Sequence, residues 1–240
     1  MSKYTYNEDY FKKIDTAEKA YWLGFLYADG CITRFYRGEK LKSMSLELTL
    51  KDEDCEHLIK FNNALESNVP IQHRIIAKKY KADRIVINST KMCRDLIKLG
   101  CTPTKSLTLE FPNNDIVPSK FVNDFIRGYF DGDGGVSYTE REYLHSVRNK
   151  TYKQYHYRCY FCGNEQFLKE LKKILNSNNI KTSDLKKDNR SQAVNLYIYD
   201  NENIERFKKY LYVDNNCVNL SRKFDKFFFI SQDKNLLINN

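Results

Sequence analysis

The sequence predicts an α+β protein (mixed α/β) built from two pseudo-symmetric halves, each with the element order αββαββα. Two observations lead to this prediction. A nine-residue segment, WLGFLYADG at 22–30, recurs loosely as IRGYFDGDG at 126–134. After each copy, runs that alternate apolar and polar residues with a period of two are interspersed with segments of helical periodicity. A repeated order of elements indicates two related structural units.

The first half follows this order from its start. Asp15-Thr-Ala-Glu18 resembles a capping box and predicts the start of the first helix. The run Met44–Leu50 alternates, so that Ser45, Glu47 and Thr49 share the polar face of a strand. The other predicted elements are a strand at 31–37, a helix at 52–65, strands at 71–78 and 84–88, and a helix at 89–99.

The second half repeats the order after a proline-marked join. Pro118 suits the first turn of the second motif helix. The predicted elements that follow are strands at 136–139, 155–162 and 194–199 and helices at 165–175 and 202–211. The expected boundaries are therefore 1–102 for the first half, 103–117 for the linker and 118–240 for the second half.

Composition narrows the class of protein. The 240 residues carry a formal net charge of +9, which favours a polyanionic partner such as nucleic acid. Seven cysteines at irregular spacing are typical of reduced intracellular thiols. The N-terminus shows no secretion signal and no apolar run is long enough to span a membrane. We expect an intracellular protein, in the cytoplasm or nucleoid, or in an organelle matrix if organelle-encoded.

The two motif helices carry the chemistry. Small residues recur four positions apart on one face of each helix, which allows close packing, at Gly24 and Ala28 and at Gly128 and Gly132. Each helix then ends in an Asp-Gly pair, at Asp29 and Asp133. If the helices pack side by side, the two carboxylates converge, and like charges at close range are unfavourable unless one is protonated or a cation bridges them. A hard divalent ion, Mg²⁺ (or Mn²⁺), suits these oxygen ligands.

Two other metal sites are disfavoured by spacing. Residues 131–142 resemble a calcium loop, but Val136 stands where the loop requires glycine. Cys159 and Cys162, with His156 upstream, suggest zinc. No second ligand pair lies at a suitable spacing, and strand positions three apart face opposite ways.

With both motifs in view, the sequence resembles the LAGLIDADG family. The first motif matches at Gly24, Leu26 and Ala28-Asp29-Gly30, and the second at Gly128 and Asp133-Gly134. The resemblance implies a homing endonuclease: a single chain whose motif helices form the interface between two halves. It further implies that four-stranded sheets form a saddle over the DNA major groove. The last acidic residue of each motif would bind the metals for Mg²⁺-dependent hydrolysis of both strands.

The resemblance also implies basic residues around the metal centre. Lys105 follows the last helix of the first half, as Lys223 follows that of the second. Lys51, at the end of the second strand, resembles another active-site position of the family. We expect all three to contribute to catalysis.

The strands and turns predict a DNA-binding surface. Basic turns would contact phosphates, at Lys78, Lys79, Lys81, Arg148, Lys186 and Lys187. Polar strand faces would read bases, at Thr33, Arg37, Ser45, Glu47, Gln72, Arg74, Ser137, Arg141, His156, Arg158, Asn195 and Tyr197. Because the strand faces of the two halves differ, we expect a monomer that binds a long, non-palindromic duplex site. The alternative is a non-cleaving DNA-binding regulator on the same fold or an intron RNA maturase, with intron RNA as a partner.

Overall fold

A computed structural model describes residues 3–77, 79–104, 108–145, 150–187, 192–214 and 216–227. The chain divides into two compact units. The first comprises Met1–Asp133 together with Asp214–Leu220, and the second comprises Gly134–Val213 together with Ser221–Asn240. The division falls after the second motif helix and not in the expected linker at 103–117, because that helix packs against the first motif helix and shares its unit.

The first half has the predicted order of elements. These are α1 (Ala17–Asp29), β1 (Gly30–Arg37), β2 (Lys40–Lys51), a 3₁₀ turn (Asp52–Asp54), α2 (Cys55–Ala64), β3 (Gln72–Ile76), β4 (Tyr80–Ile87) and α3 (Thr90–Lys98). The first helix is capped by Thr16, whose side chain accepts a hydrogen bond from the Lys19 amide, while Asp15 pairs with the Lys19 ammonium. Strand β4 begins four residues earlier than predicted, because residues 80–83 already pair with β3.

The second half repeats this order. Its elements are α4 (Val122–Asp133), preceded by a 3₁₀ turn (Ser119–Phe121), then β5 (Gly134–His145), β6 (Lys150–Gly163), α5 (Glu165–Ser177), β7 (Lys186–Lys187), β8 (Val194–Tyr199) and α6 (Asn201–Leu211). Residues 221–227 are also helical. The β5–β6 hairpin is longer than the alternation predicts, because tyrosine and charged side chains continue the pairing as far as His145 opposite Lys150.

Each unit contains one four-stranded antiparallel sheet with the same strand order. The order is β1-β2-β4-β3 in the first sheet and β5-β6-β8-β7 in the second. One face of each sheet is buried beneath helices, at Leu46, Leu48, Ile85 and Ile87 in the first and at Cys159, Phe161, Leu196 and Ile198 in the second. Strand side chains alternate between faces, so the opposite face, termed here the outer face, is left to polar residues. The predicted α+β fold with two pseudo-symmetric halves is confirmed.

An aromatic cluster forms the core between α1 and α2. The Trp22 ring lies 4.9 Å from both the Phe61 and the His57 rings, and the Phe25 ring lies 4.6 Å from that of His57. Burial of such large rings contributes most of the packing energy that holds a helix in place. This cluster therefore fixes α1, whose last residue is Asp29. Among the described residues, no helix is long and apolar enough to cross a membrane.

Candidate active site and nucleic-acid interface

Helices α1 and α4 touch backbone to backbone within the first unit. A Cβ atom on Gly24 would overlap the carbonyl oxygen of Phe125, and one on Gly128 would overlap that of Tyr21. Any larger residue would have to push the helices apart, since backbone atoms cannot rotate away. The predicted close packing through small residues is therefore present in the structure.

This packing brings the two motif carboxylates to the same end of the helix pair. Asp29 is the last residue of α1 and Asp133 the last of α4. A Cβ atom on Gly132 would lie 3.2 Å from Oδ2 of Asp29, so that carboxylate rests against the final turn of α4. Asp29 is exposed and Asp133 half-exposed, which leaves both accessible to a ligand.

The carboxylate pair fits a hard divalent cation. Carboxylate oxygens are the ligands that Mg²⁺ prefers, and this ion is commonly held by one or two carboxylates together with water and substrate phosphate. Among the described residues, no group of three or more His, Cys, Asp or Glu side chains is placed to hold a metal ion. A metal at Asp29 and Asp133 would thus need further oxygen ligands other than these side chains, such as water or substrate phosphate.

The three lysines expected around the metal centre have different surroundings. Lys51 is exposed at the end of β2, with its Nζ 3.5 Å from a Glu53 carboxylate oxygen. Lys223 is 7% exposed and donates a 2.6 Å hydrogen bond from Nζ to the carbonyl of Gly134, the residue after Asp133. Lys105 lies outside the described residues.

A buried hydrogen-bond network behind the motif helices was not foreseen. Asp131 is 1% exposed and its Oδ2 accepts from the Tyr21 hydroxyl at 2.7 Å and from the Leu220 amide at 2.8 Å. The Tyr21 hydroxyl donates its only proton to Asp131. In the 3.0 Å contact with His57, the Tyr21 oxygen is therefore the acceptor and Nε2–H of His57 is the donor. Asp131 is therefore a structural residue in the first unit.

Arg127 is the second unforeseen member of this region. It is 2% exposed, and its Nη1 lies 2.8 Å from Oδ1 of Asp124. Its Nε donates to the carbonyl of Val218, so that Arg127 and Asp131 both hold the chain segment 214–220 against α4. Burial raises the pKa of Asp124, and the nearby Arg127 charge opposes that rise. A charged residue inside a motif helix was the signal that could have revealed this network.

The outer face of the first sheet carries most of the predicted base-reading residues. Cross-strand pairing places Thr33 opposite Ser45, and Gln72 opposite Arg84. Thr33 and Glu47 are half-exposed, and Arg37, Gln72 and Arg74 are exposed. Ser45 is the exception: it is only 3% exposed, because its short side chain does not reach beyond its longer neighbours. The prediction that Ser45 lies on an accessible polar face is therefore wrong.

Arg84 is an outer-face residue that the sequence analysis missed. It stands in register between Thr49 and Gln72, and its Nη2 lies 2.6 Å from Oε2 of Glu47. The pair occupies the middle of the sheet, where both side chains are half-buried. The alternation of Arg84 and Val86 with Ile85 and Ile87 could have identified it.

The outer face of the second sheet combines cations with tyrosines. Arg158 donates from Nε to the Ser137 hydroxyl at 2.9 Å, and its guanidinium lies 5.6 Å from the centre of the Tyr197 ring. The other predicted residues on this face are also at least partly exposed, namely Arg141, His156, Lys186 and Asn195. Lys187 pairs with buried Val194 and so takes the opposite face from Lys186. Tyr160 and Tyr199 belong to the outer face as well and were not predicted.

The basic turns are described only in part. Lys79 and Lys81 are exposed at the β3–β4 turn, with the Lys79 ammonium 5.4 Å from the centre of the Tyr80 ring. Together with Lys51 they line an open cleft of about 610 Å³ at the end of β2. Lys78 and Arg148, which were expected to contact phosphates, lie outside the described residues.

Comparison with known proteins agrees with this geometry. Residues 120–212 match the family model described as a LAGLIDADG-like domain. A comparison with curated protein sequences finds no match for the chain. Among solved structures, meganuclease I-SmaMI bound to uncleaveable DNA is similar at 10% identity with a TM-score of 0.63, covering 90% of each chain.

Two further structures extend the comparison. The I-LtrWI LAGLIDADG homing endonuclease bound to target DNA is 9% identical with a TM-score of 0.62, covering 98% of this chain and 92% of the other. Meganuclease I-CpaMI bound to uncleaved DNA is 12% identical with a TM-score of 0.56, covering 91% of each chain. The resemblance seen in the sequence is confirmed: residues 120–212 match a LAGLIDADG-like domain, and the chain shares its fold with these solved LAGLIDADG endonucleases.

Proposed function

We propose that this protein is a site-specific endonuclease that cuts both strands of duplex DNA with Mg²⁺ or Mn²⁺. The observation that carries the proposal is the placement of Asp29 and Asp133 at the same end of two helices locked together at Gly24 and Gly128. Two carboxylates held by rigid backbone packing are suited to metal-dependent phosphodiester hydrolysis, which needs accurately placed oxygen ligands.

In this proposal the chain's own residues bind, orient and neutralise charge. Asp29 and Asp133 would hold the cation, which supplies Lewis-acid stabilisation of phosphate charge and activation of water. Lys51 is exposed near the end of β2 and can approach a phosphate. Lys223 is committed to the Gly134 carbonyl and so orients the chain directly after Asp133.

The outer faces of the two sheets are the proposed DNA-binding surfaces. Each presents polar and basic side chains on a rigid sheet, and the chain as a whole carries nine excess positive charges. Exposed lysines such as Lys79 and Lys81 would supply phosphate contacts, while Arg74, Gln72 and Arg158 can form hydrogen bonds with base edges in the major groove. The relatives with this fold are described as bound to DNA, which supports the same partner here.

The test has two steps. The purified protein is incubated with Mg²⁺ and a randomised duplex library, and the sequences of cut ends identify the preferred site. Asp29→Asn and Asp133→Asn are then compared with Asp115→Asn, a matched change at an exposed aspartate outside the motif helices. We expect each motif variant to lose double-strand cleavage by at least about 100-fold while keeping its affinity for the site, because the carboxylates bind metal and not DNA.

Two outcomes would contradict the proposal. Full cleavage by either motif variant would remove the carboxylate pair from the reaction. Tight, sequence-selective binding without cleavage by the unaltered protein, at any Mg²⁺ or Mn²⁺ concentration, would instead identify a DNA-binding regulator on this fold.

A further inference from the structure

Three tyrosines lie side by side on the outer face of the second sheet. Tyr160 of β6 pairs with Tyr197 of β8, and Tyr199 is two residues further along β8 on the same face. We call Tyr160, Tyr197 and Tyr199 the tyrosine patch. Tyr199 is 40% exposed and the other two are half-buried, so the rings form an accessible apolar surface in the middle of a polar face.

The patch is held in one arrangement by its neighbours. The Tyr197 and Tyr199 rings are stacked at 5.7 Å with 15° between their planes, and Tyr160 lies 6.3 Å from Tyr197. Tyr160 extends over β5 at Gly135, where a Cβ atom would lie 2.7 Å from its hydroxyl oxygen. The absence of a side chain at Gly135 therefore leaves space for the Tyr160 ring.

Two cations border the patch. The Lys186 ammonium lies 5.5 Å from the centre of the Tyr197 ring and 5.7 Å from that of Tyr199, and it contacts the Tyr199 hydroxyl at 3.3 Å. The Arg158 guanidinium lies 5.6 Å from the centre of the Tyr197 ring. Positive charge next to apolar rings attracts a polyanion whose accessible surface also contains apolar groups.

The outer face of the first sheet has a different chemistry. Its centre is occupied by the ion pair between Glu47 and Arg84, flanked by Thr49 and Gln72. These are hydrogen-bonding groups, suited to the donor and acceptor edges of bases. The two outer faces therefore present different kinds of contact to nucleic acid.

We propose that the tyrosine patch makes one half of the target site thymine-rich by packing against thymine methyl groups. The inference rests on the proposed function, in which the outer faces bind duplex DNA. The C5-methyl of thymine is the apolar group that the major groove displays, so an apolar ring surface distinguishes thymine from the other bases. Lys186 draws the phosphate backbone towards the patch, and the rings then supply the selection.

Replacing thymine by deoxyuridine tests this contact because it removes only the methyl group. Each thymine of the selected site is replaced in turn, and Kd is measured by titration with Ca²⁺ in place of Mg²⁺. We expect a loss of roughly fourfold in affinity for each contacted thymine, the effect of one buried methyl-sized group. The losses should cluster within one half of the site.

Variants of the patch identify its role directly. Tyr199→Ser should abolish the thymine–uracil difference, whereas Tyr199→Phe should retain it, because the ring and not the hydroxyl makes the contact. Tyr197→Ser provides a second test should the first variant prove unstable. Tyr138→Ser is the matched control: Tyr138 is 63% exposed on the opposite face of the same sheet, and its loss should leave the difference unchanged.

The outcomes separate this inference from the proposed function. If the protein binds or cuts no duplex, the proposed function fails before the tyrosine patch is tested. If it selects a duplex site in which neither half is enriched in thymine, the inference is overturned and the function stands. The inference is equally overturned if uracil binds as well as thymine, or if Tyr199→Ser and Tyr197→Ser both keep the discrimination.

Discussion

Arg127 occupies a position in the second motif helix where the first copy has Leu23. Its burial is supported by specific partners, the Asp124 carboxylate at 2.8 Å and the Val218 carbonyl at 2.9 Å. The guanidinium also lies 5.2 Å from the centre of the Tyr21 ring. A buried charge is tolerated only when it is paired and hydrogen-bonded. Arg127 meets this condition because Asp124 and the carbonyl of Val218 are its partners.

Removing one member of the buried pair should destabilise the protein more than removing both. Arg127→Met strands Asp124 in the interior, and we expect the free energy of unfolding to fall by about 3–5 kcal/mol. The double variant with Asp124→Leu should recover part of that loss, with a coupling energy of about 0.5–3 kcal/mol. Urea titration of the two single variants and the double variant measures this coupling energy. Additive losses would show that the pair does not act as a unit.

At the scale of elements, the β3–β4 hairpin combines a sheet face with exposed lysines at its turn. The β3–β4 turn places Lys79 and Lys81 next to exposed Ile76 and Tyr80, and Arg74 lies on the adjacent strand. A turn and a strand face contribute differently to DNA binding, because phosphates carry no sequence information and base edges do. The hairpin should therefore contain both a non-specific and a specific contact.

Neutralising the turn lysines tests the non-specific contribution. Changing Lys79 and Lys81 together to Gln should weaken binding to cognate and scrambled duplexes alike. The slope of log affinity against log salt should fall by roughly 0.9 for each lost phosphate contact. Arg74→Ala should instead relax preference at one or two base pairs, at a cost of about 1–3 kcal/mol in discrimination.

The control for this measurement comes from a helix. Lys169 and Lys173 are exposed on α5 and paired with glutamates of the same helix, so their change to Gln should leave the salt dependence unaltered. An unchanged slope in the Lys79 and Lys81 variant would show that this turn does not contact phosphates.

At the scale of the whole chain, the two halves repeat one topology with different outer faces. Both sheets have the same strand order, yet one displays the Glu47–Arg84 pair and the other the tyrosine patch. Unequal surfaces on one chain cannot read identical half-sites. The repetition therefore explains the fold, and the divergence predicts a non-palindromic target.

A single chain should consequently suffice for recognition. We expect one 28.5 kDa chain per duplex, and a selected site whose two ends are not related by inversion. Sedimentation of the complex on a fluorescent duplex gives the stoichiometry, and the randomised library gives the site. Two chains per duplex, or a strict palindrome as the preferred target, would contradict this prediction.

Several features could be predicted from the sequence because their causes are local. The period-two alternation of Met44–Leu50 identified β2, and the four-residue spacing of Gly24 and Ala28 identified a helix face made for close approach. The repeated Asp-Gly at the end of each motif identified the carboxylate pair. Periodicity and small side chains act within a few residues, so they remain visible along the chain.

Other features required the three-dimensional structure because their causes are distant in sequence. The bond between Asp131 and the Leu220 amide joins residues 89 positions apart, as does the bond between Lys223 and the Gly134 carbonyl. Ser45 belongs to the polar pattern of β2 but is buried by its neighbours. The tyrosine patch exists only because β6 and β8 pair in a particular register. Such contacts depend on which segments meet in space, and burial and hydrogen-bond partners follow from that meeting and not from residue type alone.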